Sequence, residues 1–250
     1  MSKRYTVLEE AQSYRFEGNE VGVLLIHGFT STTQSVRPLG EAFAEAGYTV
    51  SAPRLEGHGT HYEDMEQTTY HDWVKTVESN LEWLEERCKV IFVAGLSMGG
   101  TLALYLAENH PEVKGVITIN AAINLPEMAR LFEKGESQYI EGIGSDINKP
   151  GVTELAYEKT PVASLGELVK LMGKVNASLY EIHCPALVFV SDDDHVVPPE
   201  NSKAIFESVY SEHKELVHLE NSYHVATLDY DVDLITERCL EFLQMYEQPI

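Results

Sequence analysis

The sequence predicts an α/β fold: a mostly parallel central sheet covered on both faces by helices. Short, near-continuous apolar runs rich in Val, Ile and Phe recur along the chain, as in strands buried on both faces. Between them stand longer stretches whose apolar residues return at helical spacing. A length of 250 residues suits one large domain with a substantial core, so a single domain is expected.

Taken in order, residues 5–16 offer an antiparallel edge strand, and residues 21–26 (VGVLLI) form a central strand that ends at His27-Gly28-Phe29-Thr30. A helix follows over 34–46 and closes at Gly47, a suitable residue just past a helix end. The next strand is 48–52, followed by a loop rich in Gly and His (PRLEGHGTHYEDM). Residues 72–87 repeat Trp73, Val74, Val77, Leu81 and Leu84 on one helical stripe, which reads as core contact. Then come a strand at 90–93, a helix over 101–108, and strands at 115–120, 185–190 and 214–219. Helices near 199–209 and 233–246 complete the alternation.

One region breaks it. From about 122 to 179 no strand pattern appears, and the helical stretches PEMARLFEKG and SLGELVKLMGKV are separated by EGIGSDINKPG. A βα connection normally takes about 2–6 residues, so this segment is expected to be a small helical cap over the C-terminal edge of the sheet. A crossover helix with a surface excursion is the alternative. Leu125, Met128, Leu131, Phe132, Ile140 and Ile143 give the segment more apolar surface than a solvated loop carries.

Composition narrows the chemistry. With 18 Lys+Arg against 40 Asp+Glu the net charge is −22, a field that repels nucleic acid and anionic membranes alike. Cys88, Cys184 and Cys239 are odd in number and show no C-x-x-C spacing, so neither a disulfide framework nor a zinc site is indicated. No apolar run approaches the ~20 residues of a membrane span, and MSKRYTVLEE lacks the apolar core of a secretory leader. Stable membrane insertion is not expected, a cytoplasmic location is expected, and nothing speaks to oligomeric state.

The chemistry begins at Gly95-Leu96-Ser97-Met98-Gly99, a G-x-S-x-G string between a buried strand and a helix. Small residues on either side permit a sharp strand-to-helix turn that presents the Ser97 hydroxyl outward. Alone, the motif also fits an ordinary turn whose serine caps a helix. A nucleophilic serine needs a base, and the base needs an acid to hold its tautomer. His224 follows the last strand and lies on a loop at the same sheet edge, whereas His218 lies within that strand and His71, His110, His183 and His213 fall at element ends or exposed faces. Asp192, Asp193 and Asp194 all follow the 185–190 strand, and charge alone does not choose among them. The order Ser, Asp, His is that of α/β-hydrolases. Oxyanion donors are expected from the Met98 N–H, at a helix start, and from the Phe29 N–H, in the loop after the 21–26 strand. His27 is expected to fix that loop rather than to act as a base.

Together LLIHGFTST, RLEGHGTHYEDM, GLSMGG, DDDHVVPP and NSYHVATLDYD resemble the bacterial monoacylglycerol lipases and the similar thermostable carboxylesterases of the α/β-hydrolase superfamily. The resemblance covers essentially the whole chain. It implies Ser97 as nucleophile, Asp194 and His224 as the relay pair, and the Phe29 and Met98 amides as the oxyanion hole. Asp194 is preferred because one residue and then Val-Val-Pro follow it, as in these enzymes; Asp193 is the fallback. GIGSD and VTELAYEKT match the group as well, which implies Ile143 at a channel entrance and Glu154 near the glycerol hydroxyls. Two departures stand out: mammalian monoacylglycerol lipases carry His where this chain has Leu96, and Ser191 replaces a Gly common three residues before the acid.

The resulting expectation is a serine ester hydrolase that cleaves monoacylglycerols through an acyl-enzyme, with no metal or organic cofactor. A generalist carboxylesterase on short-chain esters is the alternative. A ligand-binding protein on a hydrolase scaffold is the reading from another class, and it normally lacks a triad member.

Overall fold

The apolar runs become the strands of one sheet in the computed structural model, which describes residues 5–248. Residues 1–4, the start of the MSKRYTVLEE stretch, lie outside the described residues. In chain order the elements begin with β1 (Tyr14–Phe16), β2 (Val21–Ile26), α1 (Arg37–Glu45), β3 (Thr49–Ala52), α2 (Tyr62–Met65) and α3 (Tyr70–Glu85). Next come β4 (Val90–Leu96), α4 (Met98–Asn109), β5 (Val113–Ile119), α5 (Pro126–Lys134), β6 (Tyr139–Glu141), β7 (Lys159–Pro161) and α6 (Val162–Asn176). The chain closes with β8 (Ala186–Ser191), α7 (Glu200–Ser208), β9 (Lys214–Leu219) and α8 (Val232–Tyr246).

Seven strands pair in the order β1-β3-β2-β4-β5-β8-β9. Only β1 runs antiparallel to its neighbour; the other pairings are parallel. Every residue of β4 is buried, which explains its unbroken apolar composition at the centre of the sheet. Alternation along the strands feeds two cores. Leu24, Ile26, Ile91 and Val93 join a layer with residues of α3, α4 and α6, while Val23, Leu25, Phe92 and Ala94 join one with α1 and α8. The parallel strands therefore all end at one edge, where the loops holding Ser97, the three aspartates and His224 converge.

Boundaries differ from the sequence reading where local chemistry intervenes. The helix expected over 34–46 opens as a 3-10 turn at Thr33–Val36, and its α-helical part starts at Arg37-Pro38. Proline has no N–H to donate, so it favours the first helical turn. The edge expected over 5–16 contracts to β1 because Glu9–Ala11 takes a 3-10 turn instead.

The segment between β5 and β8 has two characters. Its second helix, α6, buries Leu165, Leu168, Leu171, Met172 and Val175 in the core beside α3 and α4, as a crossover helix does. The first part holds α5, which matches the expected helical stretch PEMARLFEKG, and a β6–β7 pair registered by Ile140 opposite Thr160, which the sequence reading does not anticipate because it finds no strand there. Three-residue strands are too short to leave a periodic signature. Of the apolar residues noted in this part, Leu125 is buried, whereas Leu131, Phe132 and Ile143 are exposed. Cys88, Cys184 and Cys239 are free thiols, and no described helix is long and apolar enough to cross a membrane.

One partly buried acid gives the fold a pH dependence. Glu108, on α4, accepts a hydrogen bond from the Ser178 hydroxyl at 3.0 Å, but its other carboxyl oxygen is buried without a partner. Burial pushes its pKa up to about 8 from 4.5, against the pull of Ser178 and Lys174. As pH rises above the unfolded value, the unfolded chain releases a proton that the folded chain retains until about 8, so stability falls across that window. Glu108→Gln copies the neutral acid and removes this slope. Melting curves should coincide near pH 5 and separate toward pH 8.5, the variant gaining about 2–4 °C for each kcal/mol recovered. An equal offset at both pH values would count against this account.

Candidate active site

β4 runs into α4 with a single residue between them, and that residue is Ser97. Its backbone sits at φ 57° and ψ −122°, a region costly for a residue with a side chain. The surroundings hold it there. The Ser97 N–H donates to the Ile119 carbonyl at 2.9 Å, and its own carbonyl accepts from Thr101 N–H at 3.2 Å. A Cβ at Gly95 would overlap the Gly99 backbone, and one at Gly99 would overlap the Ile26 carbonyl, so the flanking glycines permit the close crossing of β2, β4 and α4. The Ser97 side chain consequently faces a cavity shared with Phe29, Met98, Leu125, Ile143, Glu154 and His224.

The loop after β9 delivers His224 to this cavity, and the loop after β8 delivers Asp194 behind it. His224 Nδ1 lies 2.8 Å from Asp194 Oδ2, with side chains only 8% and 1% exposed. The other Asp194 oxygen accepts from the Val196 and Val197 N–H groups at 2.8 and 2.7 Å, so the carboxylate cannot swing away. Such a partner places the imidazole proton on Nδ1 and leaves Nε2 basic. Burial by itself lowers the His224 pKa, but Asp194, then Glu154 and Asp146, outweigh it and hold the ring above the ordinary histidine value. No direct hydrogen bond joins Ser97 and His224 among the described residues; in unliganded sites such bonds often form only when substrate binds.

The three consecutive aspartates part company. Asp192 lies 2.7 Å from His218, Asp193 is 71% exposed and lies 3.5 Å from His195, and Asp194 alone reaches His224.

The loop after β2 lies across the cavity. His27 accepts the Leu55 N–H at Nε2 (3.1 Å) and donates from Nδ1 to the Gly28 carbonyl (2.9 Å), so both ring nitrogens are occupied in holding the loop. Burial lowers its pKa to about 4, which keeps it neutral. The N–H groups of Phe29 and Met98 make no hydrogen bond to protein among the described residues, and both residues line the cavity beside Ser97. Two unengaged N–H groups at this position can receive a negative oxygen.

Ile143 and Glu154 come from the segment above the sheet. Ile143 is exposed and lines both the Ser97 cavity and an adjoining apolar groove with Met128, Leu131, Ile140 and Val196. Glu154 accepts the Ser31 hydroxyl at 2.6 Å, and burial pushes its carboxyl above the usual range, partly offset by Ser31 and His224. The site thus has apolar walls and one polar corner.

Other residues that hold the site are not singled out as site residues in the sequence reading. Asn120, at φ 47° just past β5, donates to the His224 carbonyl at 2.8 Å and to the Ser191 hydroxyl at 2.8 Å. Ser191 in turn donates to the Tyr223 carbonyl at 2.9 Å. The position has no positive φ, so the serine at this place costs no strain and adds a tie to the His224 loop. Asp146 reaches the same loop from above. A polar residue directly after a strand end is the available signal for Asn120, but Asn is common in such turns.

The family model described as serine aminopeptidase, S33, matches residues 19–148 and 152–231. The chain is 59% identical over 244 residues to the thermostable monoacylglycerol lipase of Bacillus sp. (strain H-257), covering 97% of this chain and 98% of that protein. It is 34% identical over 242 residues to a carboxylesterase of Bacillus subtilis (strain 168), covering 92% and 95%. A solved structure described with LipS and LipT, two metagenome-derived lipolytic enzymes, matches with a TM-score of 0.94 at 46% identity, covering 96% of this chain and 100% of that one.

Proposed function

The chain belongs to the serine aminopeptidase S33 family and has the α/β-hydrolase fold, and from that premise we propose a serine ester hydrolase that cleaves monoacylglycerols to glycerol and fatty acid. One observation carries the reading: an apolar cavity with a polar corner at Ser31 and Glu154 opens directly onto Ser97. The relatives named monoacylglycerol lipase and carboxylesterase support the same chemistry.

In this reading Ser97 Oγ attacks the ester carbonyl while His224 Nε2 takes its proton. The oxyanion of the tetrahedral intermediate lies between the Phe29 and Met98 N–H groups, each worth roughly 2.7–4 kcal/mol in the transition state. Asp194 steadies the imidazolium. His224 then protonates the departing glycerol oxygen, and a water deprotonated by the same nitrogen releases the fatty acid. Residues 122–179 act as a cap whose part before α6 supplies Leu125, Met128 and Ile143 to the acyl site. Each buried CH₂ contributes about 0.8 kcal/mol, which favours medium and long chains over short ones. Three free thiols fit a reducing compartment, so we place the protein in the cytoplasm.

The test compares kcat/KM for monolauroylglycerol, dilauroylglycerol, p-nitrophenyl laurate and an aminoacyl amide. Monolauroylglycerol should exceed the diester and the amide. Glu154→Leu should lower kcat/KM for monolauroylglycerol more than for p-nitrophenyl laurate, because only the former presents free glycerol hydroxyls. Equal losses would remove Glu154 from the polar site, and preferred cleavage of short p-nitrophenyl esters would favour the generalist carboxylesterase.

A further inference from the structure

The acid and the base of the site sit on separate loops, after β8 and after β9, and one oxygen from the segment above the sheet touches both. Asp146 Oδ2 accepts the His195 N–H at 3.1 Å and the His224 N–H at 3.1 Å. Its other oxygen, Oδ1, lies 2.9 Å from His195 Nδ1. His195 directly follows Asp194, so this carboxylate grips the backbone beside the acid and the backbone of the base together. The Asp146 main chain adds a further tie, its carbonyl accepting the Val225 N–H at 3.1 Å.

We propose that Asp146 is a positioning residue for the catalytic base: it holds the His224 N–H from the cap while Asn120 holds the His224 carbonyl from the sheet. The proposal rests on the reading of Ser97, His224 and Asp194 as the reacting set. Both polar groups of the His224 peptide are thereby fixed, and the ring's remaining freedom is rotation of its own side chain, which Asp194 restrains. Asp229 reinforces the same seam. It is fully buried and accepts N–H groups of Asn148 and Lys149 from the cap and of Tyr223 and Tyr230 from the His224 loop, at 2.6 to 2.9 Å. Residues 146–149 are therefore tied as a strap to the loops carrying His195 and His224.

Asp146 also lies in the electrostatic surroundings of the base. Asp194, Glu154 and Asp146 act on His224 to favour its protonated form, and His195, with Asp193 beside it, faces Asp146 from the solvent side. A neutral residue at 146 therefore shifts the base toward its free form at lower pH.

Two substitutions separate positioning from mere stability. Asp146→Ala removes both N–H acceptors, and misplacing a reacting group by about 1 Å costs on the order of 100-fold. Its kcat, per active site titrated with a serine-directed phosphonate, should fall about 10- to 100-fold with KM changed less than about threefold, on monolauroylglycerol and p-nitrophenyl laurate alike. Asp146→Asn keeps an oxygen for the two N–H groups, and its amide can donate to His195 Nδ1; it should recover most of the kcat. The acidic limb of its kcat/KM profile should move to lower pH. An alanine variant with wild-type kcat, or with a loss confined to KM, overturns the proposal. If the alanine variant does not fold, an asparagine variant with an unmoved acidic limb overturns it. Failure of the wild type to turn over either ester, or to take the phosphonate label, would instead defeat the underlying reading of the site.

Discussion

Ser97→Ala should abolish ester turnover while leaving the fold in place. Loss of the nucleophile in a comparable serine hydrolase costs about 10⁶-fold in kcat. The structural cost is small for two reasons. Alanine retains the Cβ, so the φ 57° backbone is neither relieved nor worsened, and the hydroxyl faces the cavity rather than a buried hydrogen-bond partner. A surface-like change of this kind is usually within about 0.5 kcal/mol of neutral. Circular dichroism melts should therefore coincide while turnover of p-nitrophenyl laurate disappears. A serine-directed phosphonate should label the wild type on the peptide containing Ser97 and leave the variant unlabelled. Retained turnover, or a label on another serine, would undo the assignment of Ser97 and return weight to a ligand-binding protein on this scaffold.

Much of the fold is legible because strands buried on both faces must be apolar throughout. β2, β4, β5 and β8 announce themselves for that reason, and β9 matches its expected bounds. The residues of the candidate site are legible because a parallel sheet brings all its C-terminal strand ends to one edge, so position after a strand is nearly a position in space. That logic finds Ser97, His224 and the aspartate run. It does not choose within the run. Consecutive residues leaving a strand differ in direction, and the choice depends on which carboxylate the following backbone captures; here the Val196 and Val197 N–H groups capture Asp194.

The strap is illegible for a different reason. Residues 144–157 have little regular structure, and their role lies in hydrogen bonds to distant loops: Asp146 to His224, Asn148 and Lys149 to Asp229, Glu154 to Ser31, and Tyr157 N–H to the Thr30 carbonyl at 3.1 Å. Periodicity reports burial along an element and contains no term for such pairings. Composition was no better guide, since a segment rich in Gly, Asp, Asn and Pro reads equally as a surface loop. The same stretch joins the His224 loop to the loop carrying Phe29, so His224 and the Phe29 N–H share a support that the sequence presents as a linker.

Asp194→Asn should cost about 10⁴-fold in kcat, the scale seen when an orienting aspartate loses its charge. The geometry gives the reason. One Asp194 oxygen is committed to two backbone N–H groups, so an asparagine must place its carbonyl oxygen there and turn its amide toward His224 Nδ1. An amide donor opposite Nδ1 forces that nitrogen to accept, which moves the imidazole proton to Nε2 and removes the lone pair needed by Ser97. The charge that favours imidazolium is lost at the same time, so the acidic limb of the residual activity should shift to lower pH. Asp192→Asn and Asp193→Asn act on exposed pairs with His218 and His195 and should change kcat by less than about threefold, as exposed ion pairs contribute little. Steady-state kinetics on one ester across the three variants decides the matter. A largest loss at Asp193 would shift the acid by one residue, and equal small losses at all three would leave His224 without a carboxylate partner in catalysis.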